Sequence, residues 1–280
     1  MPQLIKKQIR GNDTLIVPPE KTPTDLCSFR ILRPEQVKPI EFSEPGYEIV
    51  LVVLSGQADI VVGTESFPGV GERDDIWSGR ADSVYAGTGS MIKVTASKPG
   101  TEVAVAGAKC EESFPAFRVT PSEVECVDVG SVETHTRRRI FHILGHNAAG
   151  RCSRLLVSEL YADPGCWSGY PPHKHDTERP PEETDFQEIY HYRFRPESGF
   201  GAQYCYQSGD DPQVVMTRHG DTFLVDRGYH PTVTSPGYEG YIFTILVGKH
   251  QRSLVQFFEP SHSHLMAGIP GLQAMRDKFK

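Results

Sequence analysis

The chain has 280 residues, 26 of them glycine and 22 proline, which is long enough for one large or two ordinary domains. With no long amphipathic helical repeat visible, this composition predicts an all-β protein with many turns. A formal charge of -7 excludes a general basic field for nucleic acid. The charged start, residues 1–10, is unlike a signal peptide, and no apolar run reaches the length of a membrane span.

Residues 1–45 carry Pro18-Pro19, Pro23 and Pro34, so loops and short strands are expected there. Residues 47–54, the turn Ser55-Gly56-Gln57 and residues 58–62 read as a hairpin buried on at least one face. Further strands are expected at 83–85, 91–95 and 101–106, a close spacing that fits a sandwich or small barrel. Residues 133–143 hold Arg137-Arg138-Arg139 in a β-like apolar run. The triplet reads first as a solvated positive patch and second as an anion contact at a subunit or domain boundary. The turn-rich stretch Gly145-His146-Asn147-Ala148-Ala149-Gly150 places a division there, giving domains 1–145 and 146–280. Six scattered cysteines without a Cys-x-x-Cys pair fit the reduced, packed thiols of a cytoplasmic protein.

The second half concentrates the chemistry. His173 and His175 stand at i and i+2, a spacing that puts both on one face only in extended backbone. Glu188 opens a β-rich run, Glu188-Ile189-Tyr190-His191-Tyr192-Arg193-Phe194, and His230 follows one more strand and a glycine turn. Three imidazoles and a carboxylate form a metal-ligand set suited to a divalent ion, zinc first, with manganese, iron(II), nickel or copper compatible. This is the order in which a cupin barrel presents its ligands. Between His175 and Glu188 lies an acidic, proline-bearing loop, read as an insertion at the mouth of the site whose Glu183 is a candidate base. Alternation puts Tyr190 and Tyr192 on the Glu188 face, as candidates to orient substrate oxygens, and His191 and Arg193 on the other. Arg227 is the candidate for a substrate carboxylate, with Tyr229 beside it, because a guanidinium pairs with a carboxylate bidentately. Lys174 alternates away from the histidine pair and ranks lower.

The two halves repeat. Tyr47-Glu48-Ile49 matches Gln187-Glu188-Ile189, but no His-x-His precedes Glu48. The first half is therefore expected to bind no metal and to serve as a packing partner or a wall of the site.

The blocks Trp167-Ser168-Gly169-Tyr170-Pro171-Pro172-His173-Lys174-His175-Asp176, Glu188 to Arg193 and Arg227-Gly228-Tyr229-His230-Pro231 resemble the 5-deoxy-glucuronate isomerase family of myo-inositol catabolism, related to the uronate isomerases. The resemblance is dense between residues 133 and 248. It implies a bicupin, two β-barrel (jelly-roll) domains in tandem, with His173, His175, Glu188 and His230 holding one divalent metal. It implies an aldose to ketose isomerisation of a small sugar acid. The chain departs from the pattern at Asp226, where proline is usual, and in the tail after Lys249. The same donor set also serves oxygen-consuming dioxygenases, and a non-catalytic sugar-binding cupin is a third reading. Open sheet edges make a homo-oligomer compatible with the fold.

Overall fold

The computed structural model describes residues 3–8 and 11–279, so the predicted charged start is seen only in part. Among the described residues the chain is nearly all β, with one short helix, Leu272–Lys278, and two 3-10 segments, His146–Ala148 and Pro260–Gly268. None of the helices is long and apolar enough to cross a membrane.

The chain forms two compact units that interleave rather than meet at a single cut between 145 and 146. One comprises Ile9–Glu125 and Asn147–Leu155, the other Met1–Gln8, Cys126–His146 and Leu156–Lys280. Strand pairing gives the reason. Gln3–Ile5 pairs antiparallel with Thr222–Val225, and Glu125–Val129 and Arg138–Leu144 continue that same sheet at its other end.

In the first unit a six-stranded sheet has Tyr47–Ser55 near its centre, between Asp82–Ala86 and Glu102–Lys109. A four-stranded sheet contains Ile40–Phe42, Ile92–Ala96, Ala58–Val62 and Glu65–Val70. Apolar residues of both sheets, among them Ile49, Leu51, Ile60 and Val94, form one buried cluster. The predicted hairpin of 47–54 with 58–62 is corrected here: both strands exist, but they lie in different sheets. Alternating apolar residues specify a buried face and not which neighbour a strand pairs with. The turn between them needs Gly56, whose φ is +77° and where a Cβ would lie 2.6 Å from Thr101 Oγ1.

The second unit repeats the plan. A seven-stranded sheet runs Gln3–Ile5, Thr222–Val225, Phe186–Arg195, Glu239–Gly248, Leu155–Ala162, Arg138–Leu144, Glu125–Val129. A four-stranded sheet contains Trp167–Ser168, Thr232–Thr234, Phe200–Cys205 and Gln213–Arg218. Tyr190, Tyr192, Phe194, Phe223, Val225 and Ile242 form one buried cluster. A second cluster joins Ile140, Leu156 and Leu246 to Leu272, Met275 and Phe279 of the C-terminal segment.

The internal repeat is visible in the pairing. Glu48 lies opposite Ala108 as Glu188 lies opposite Leu246, each on a strand flanked on both sides. Glu48 is fully buried and its carboxylate accepts from Tyr85 Oη at 2.6 Å and from the backbone N–H groups of Ser153, Arg154 and Leu155 at 2.6–2.9 Å. Four donors occupy this carboxylate where its counterpart meets imidazoles.

Candidate metal centre

The strand Phe186–Arg195 delivers Glu188 and Tyr190 to one face, and its neighbours extend that face. Glu188 is flanked by Leu246 and Tyr190 by Thr244 across the strand pair. Ile140 lies opposite Leu160, and Arg138 is two residues along from Ile140. Side chains of period two on these four strands line a cavity together with His173 and His175. Every lining residue belongs to the second unit, and two of them, Arg138 and Ile140, precede the division expected at 145, so the cavity wall draws on both sides of it.

His173 belongs to a short strand paired with Phe257–Phe258, and His175 follows it. His230 leaves a turn that requires glycine: Gly228 has φ +86°, and a Cβ there would come 2.6 Å from Tyr206 O. Ligating atoms of the three buried histidines lie within 4.8 Å of one another. Glu188 Oε2 is 3.1 Å from His175 Nε2 and 3.2 Å from His230 Nε2. Each imidazole is aimed by its other nitrogen. Nδ1–H donates to Pro171 O at 3.2 Å in His173, to Phe186 O at 3.1 Å in His175, and to Gly228 O at 2.7 Å in His230. Those bonds set the tautomer that leaves the Nε2 lone pairs inward. At His173 the Gln256 amide lies 3.2 Å from Nε2, which accepts from it.

These residues fit a divalent ion. Metal bonds of about 2.0–2.2 Å place neighbouring ligand atoms roughly 3.0–3.5 Å apart, as Glu188 and its two histidines stand. The His230 Nε2 is buried without a hydrogen-bond partner. Burial, with the neighbouring imidazoles, pushes His173 well below the usual histidine range. Burial also opposes charge on His175, but the hydrogen bond and charge of Glu188 outweigh it and raise that pKa. Glu188 is pulled the other way: burial favours its neutral form, and the His175 and His230 imidazoles beside it overcome this and hold it low, as a carboxylate. An anionic oxygen and three imidazole nitrogens converge without any cysteine.

A polar clamp fixes the loops that carry His175 and His230. Lys174 bonds Asp176, and Asp176 Oδ2 accepts from Gly228 N–H at 2.8 Å, tying the His175 segment to the His230 turn. Those bonds, against the cost of burial, keep Asp176 ionised well below the ordinary range. Glu183 is fully buried but does not line the cavity, which corrects its assignment as a base. Its oxygens accept from Lys174 Nζ at 2.8 Å, Asp176 N–H at 2.9 Å, and Arg179 Nε and Nη2 at 3.0 and 2.8 Å. A carboxylate saturated by four donors pins the loop.

The remaining candidates separate. Tyr190 lines the cavity, and burial with the nearby Glu188 charge pushes its phenol well above 10. Tyr192 shares the face but sits away from the cavity, donating to Gln203 Oε1. Tyr229 is buried against Tyr206, ring centroids 5.4 Å apart. Arg227 is corrected: its side chain is 72 % exposed, 3.6 Å from Asp226, and faces a separate acidic pocket with Asp210 and Asp211. Sequence reading missed Gln256 and Arg138. Arg138 is 2 % exposed, while Arg137 is half-exposed beside Asp163 and Arg139 is exposed. The solvated-patch reading holds for the flanking pair and fails for the central residue. Alternation was the available signal: 138 shares its face with Ile140.

A model of the KduI/IolB family matches residues 4–265. The chain belongs to this family. A 5-deoxy-glucuronate isomerase of Geobacillus kaustophilus (strain HTA426) is 33 % identical over 256 residues, 89 % of either chain. One of Geobacillus thermodenitrificans (strain NG80-2) is 34 % identical over 238 residues, 83 % of this chain and 84 % of that one. The crystal structure of an IolB-like protein from Salmonella typhimurium LT2 covers 94 % of this chain and 98 % of its own, at 27 % identity and a TM-score of 0.86. A mutant oxalate decarboxylase of Bacillus subtilis, 13 % identical with a TM-score of 0.55 over 83 % of this chain and 70 % of that one, shares the fold alone. The all-β bicupin expectation, two β-barrels in tandem, agrees with these likenesses.

Proposed function

We propose that this KduI/IolB-family protein is an aldose–ketose isomerase that converts 5-deoxy-glucuronate to 5-dehydro-2-deoxy-gluconate in myo-inositol catabolism. In this reading one divalent ion is held by His173, His175, Glu188 and His230, zinc being the first choice and manganese, iron or nickel compatible with the donors. The observation that carries it is the convergence of three buried imidazoles, each fixed through Nδ1, around Glu188, which lines the cavity with His173 and His175. Relatives named for this isomerase match nearly the whole chain.

When bound, a divalent ion supplies Lewis acidity to the adjacent carbonyl and hydroxyl oxygens of an open-chain aldose. The net change removes one hydrogen from C2 and adds one at C1, while a proton passes from the C2 hydroxyl to the former aldehyde oxygen. Tyr190 is the residue assigned to these oxygens. A phenol held protonated by burial and by Glu188 donates a hydrogen bond and steadies charge on oxygen; it does not take a proton from carbon. Tail residues Leu254, Gln256, Met275 and Phe279 form the wall that keeps bulk water from the site.

Six free cysteines support a reducing cytoplasm as the working compartment. A homo-oligomer belongs to the same reading. The edge strand Gln213–Arg218, with exposed Val214 and Met216, supports it.

The test is proton NMR of 5-deoxy-glucuronate with the metal-loaded protein in deuterated water. Appearance of the ketose is expected. Absence of product with metal bound refutes this substrate, and oxygen uptake in its place identifies a dioxygenase.

A further inference from the structure

The Arg137-Arg138-Arg139 triplet divides across the sheet, and its middle member enters the metal cavity. Among the described residues, the hydrogen-bond acceptors of Arg138 are Thr136 O at 2.8 Å and Tyr170 O at 3.0 Å, both backbone carbonyls. No carboxylate among them forms an ion pair with it, and no other lysine or arginine lines the cavity. The other cations near the site are already neutralised or face elsewhere: Lys174 by Asp176 and Glu183, Arg227 beside Asp226 in its own pocket. A guanidinium taken out of water without an anion is strongly disfavoured, and backbone carbonyls satisfy its geometry without balancing its charge.

Charge in the cavity can be summed. Three neutral imidazoles, one Glu188 carboxylate and one guanidinium make zero, so a divalent ion leaves the site with two net positive charges. An acid substrate reduces that excess; a neutral sugar does not. We propose that Arg138 takes the carboxylate of the substrate, giving the cavity an anion-binding end opposite in role to its metal-binding end. The guanidinium fork matches a carboxylate bidentately and fixes which end of the acid points at the metal ligands.

The proposal rests on the isomerase reading only for the identity of the acid, so the experiment uses a stable probe. Binding of D-glucuronate and of its neutral methyl ester to metal-loaded protein is measured by calorimetry for wild type and Arg138→Gln, with metal content and thermal midpoint measured on the same samples. Gln keeps an amide donor for the two carbonyls and removes the charge. Wild type is expected to prefer the acid over the ester at least tenfold. Arg138→Gln is expected to lose at least twentyfold in acid affinity, to bind the ester unchanged and to keep its metal. Unchanged acid affinity in the variant, or no acid preference in wild type, overturns the assignment. If wild type binds glucuronate through Arg138 yet makes no ketose from 5-deoxy-glucuronate, the isomerase reading falls and the anion site stands. If ketose forms with the same KM in both proteins, the anion site falls and the isomerase stands. Should the variant fail to fold, a wild-type crystal with glucuronate decides. A carboxylate hydrogen-bonded to Arg138 supports the proposal, and one bound elsewhere overturns it.

Discussion

Replacing Glu183 by glutamine separates a pin from a base. The carboxylate is fully buried and takes hydrogen bonds from Lys174, Arg179 and the Asp176 N–H, all at 2.8–3.0 Å. Breaking a buried ion pair costs about 3–5 kcal/mol. The Arg179 side chain is 40 % exposed and can rehydrate, so the lower end, about 3 kcal/mol, applies. At roughly 2–4 °C per kcal/mol for a unit of this size, the unfolding midpoint should fall by about 6–12 °C. Calorimetry supplies the midpoint, and steady-state isomerase assays on folded, metal-loaded protein supply kcat. Because Glu183 does not line the cavity, kcat and its pH profile should stay within about threefold of wild type. A variant of normal stability whose kcat falls a hundredfold, with the acid limb of its pH profile lost, would refute this account and restore Glu183 as a proton carrier.

Four further outcomes are expected. His173→Ala and His230→Ala should lose bound metal by elemental analysis while keeping a β-sheet circular dichroism spectrum; full occupancy in either removes that residue from the ligand set. Asp176→Asn loosens the tie between the His175 segment and the Gly228 N–H, and a chelator competition should show metal affinity reduced by about 10–100-fold. Tyr190→Phe should lower kcat by about 10²-fold with metal content intact, whereas Tyr192→Phe, set away from the cavity, should change kcat little. Protons compete with metal for the imidazole lone pairs, so affinity should fall as pH drops, beginning at His175 above the ordinary histidine value of about 6.5. The raised pKa of His175 makes it the first of the pair with His173 to protonate, and Glu188, held low, stays a carboxylate throughout that window. Affinity constant from pH 7 to 5 would contradict the proposed donors.

The convergence of His173, His175, Glu188 and His230 was legible because strand geometry projects it onto sequence. His-x-His demands extended backbone, and Glu188 begins the strand whose even positions share one face. The same arithmetic applied at 137–139 selects Arg138, but three like residues in a row mask a period of two. Partners at a distance left no such mark. Gln256 reaches His173 because residues 257–258 pair with 173–174, and a two-residue pairing across more than eighty positions has no periodic signature. Strand existence was readable from apolar runs in 47–54 and 58–62, while their placement in separate sheets depended on tertiary partners. Glu183 looked available because its loop is acidic; the donors that saturate it come from backbone and side chains that only folding brings together.

The interleaved units carry a lesson for recombination between relatives. A crossover near residue 145, where the sequence looks most divisible, would take Arg138 and Ile140 from one parent and the three histidines from the other, splitting one cavity wall between two histories. A junction near residue 125 keeps Arg138 with Glu188, His173 and His175, which line the same cavity. Either junction leaves Gln3–Ile5 to dock on a foreign Thr222–Val225 strand. If Arg138 reads the substrate carboxylate as proposed, chimeras joined at the second position should inherit acid preference from their C-terminal parent as a block, whereas those joined at the first should mix it.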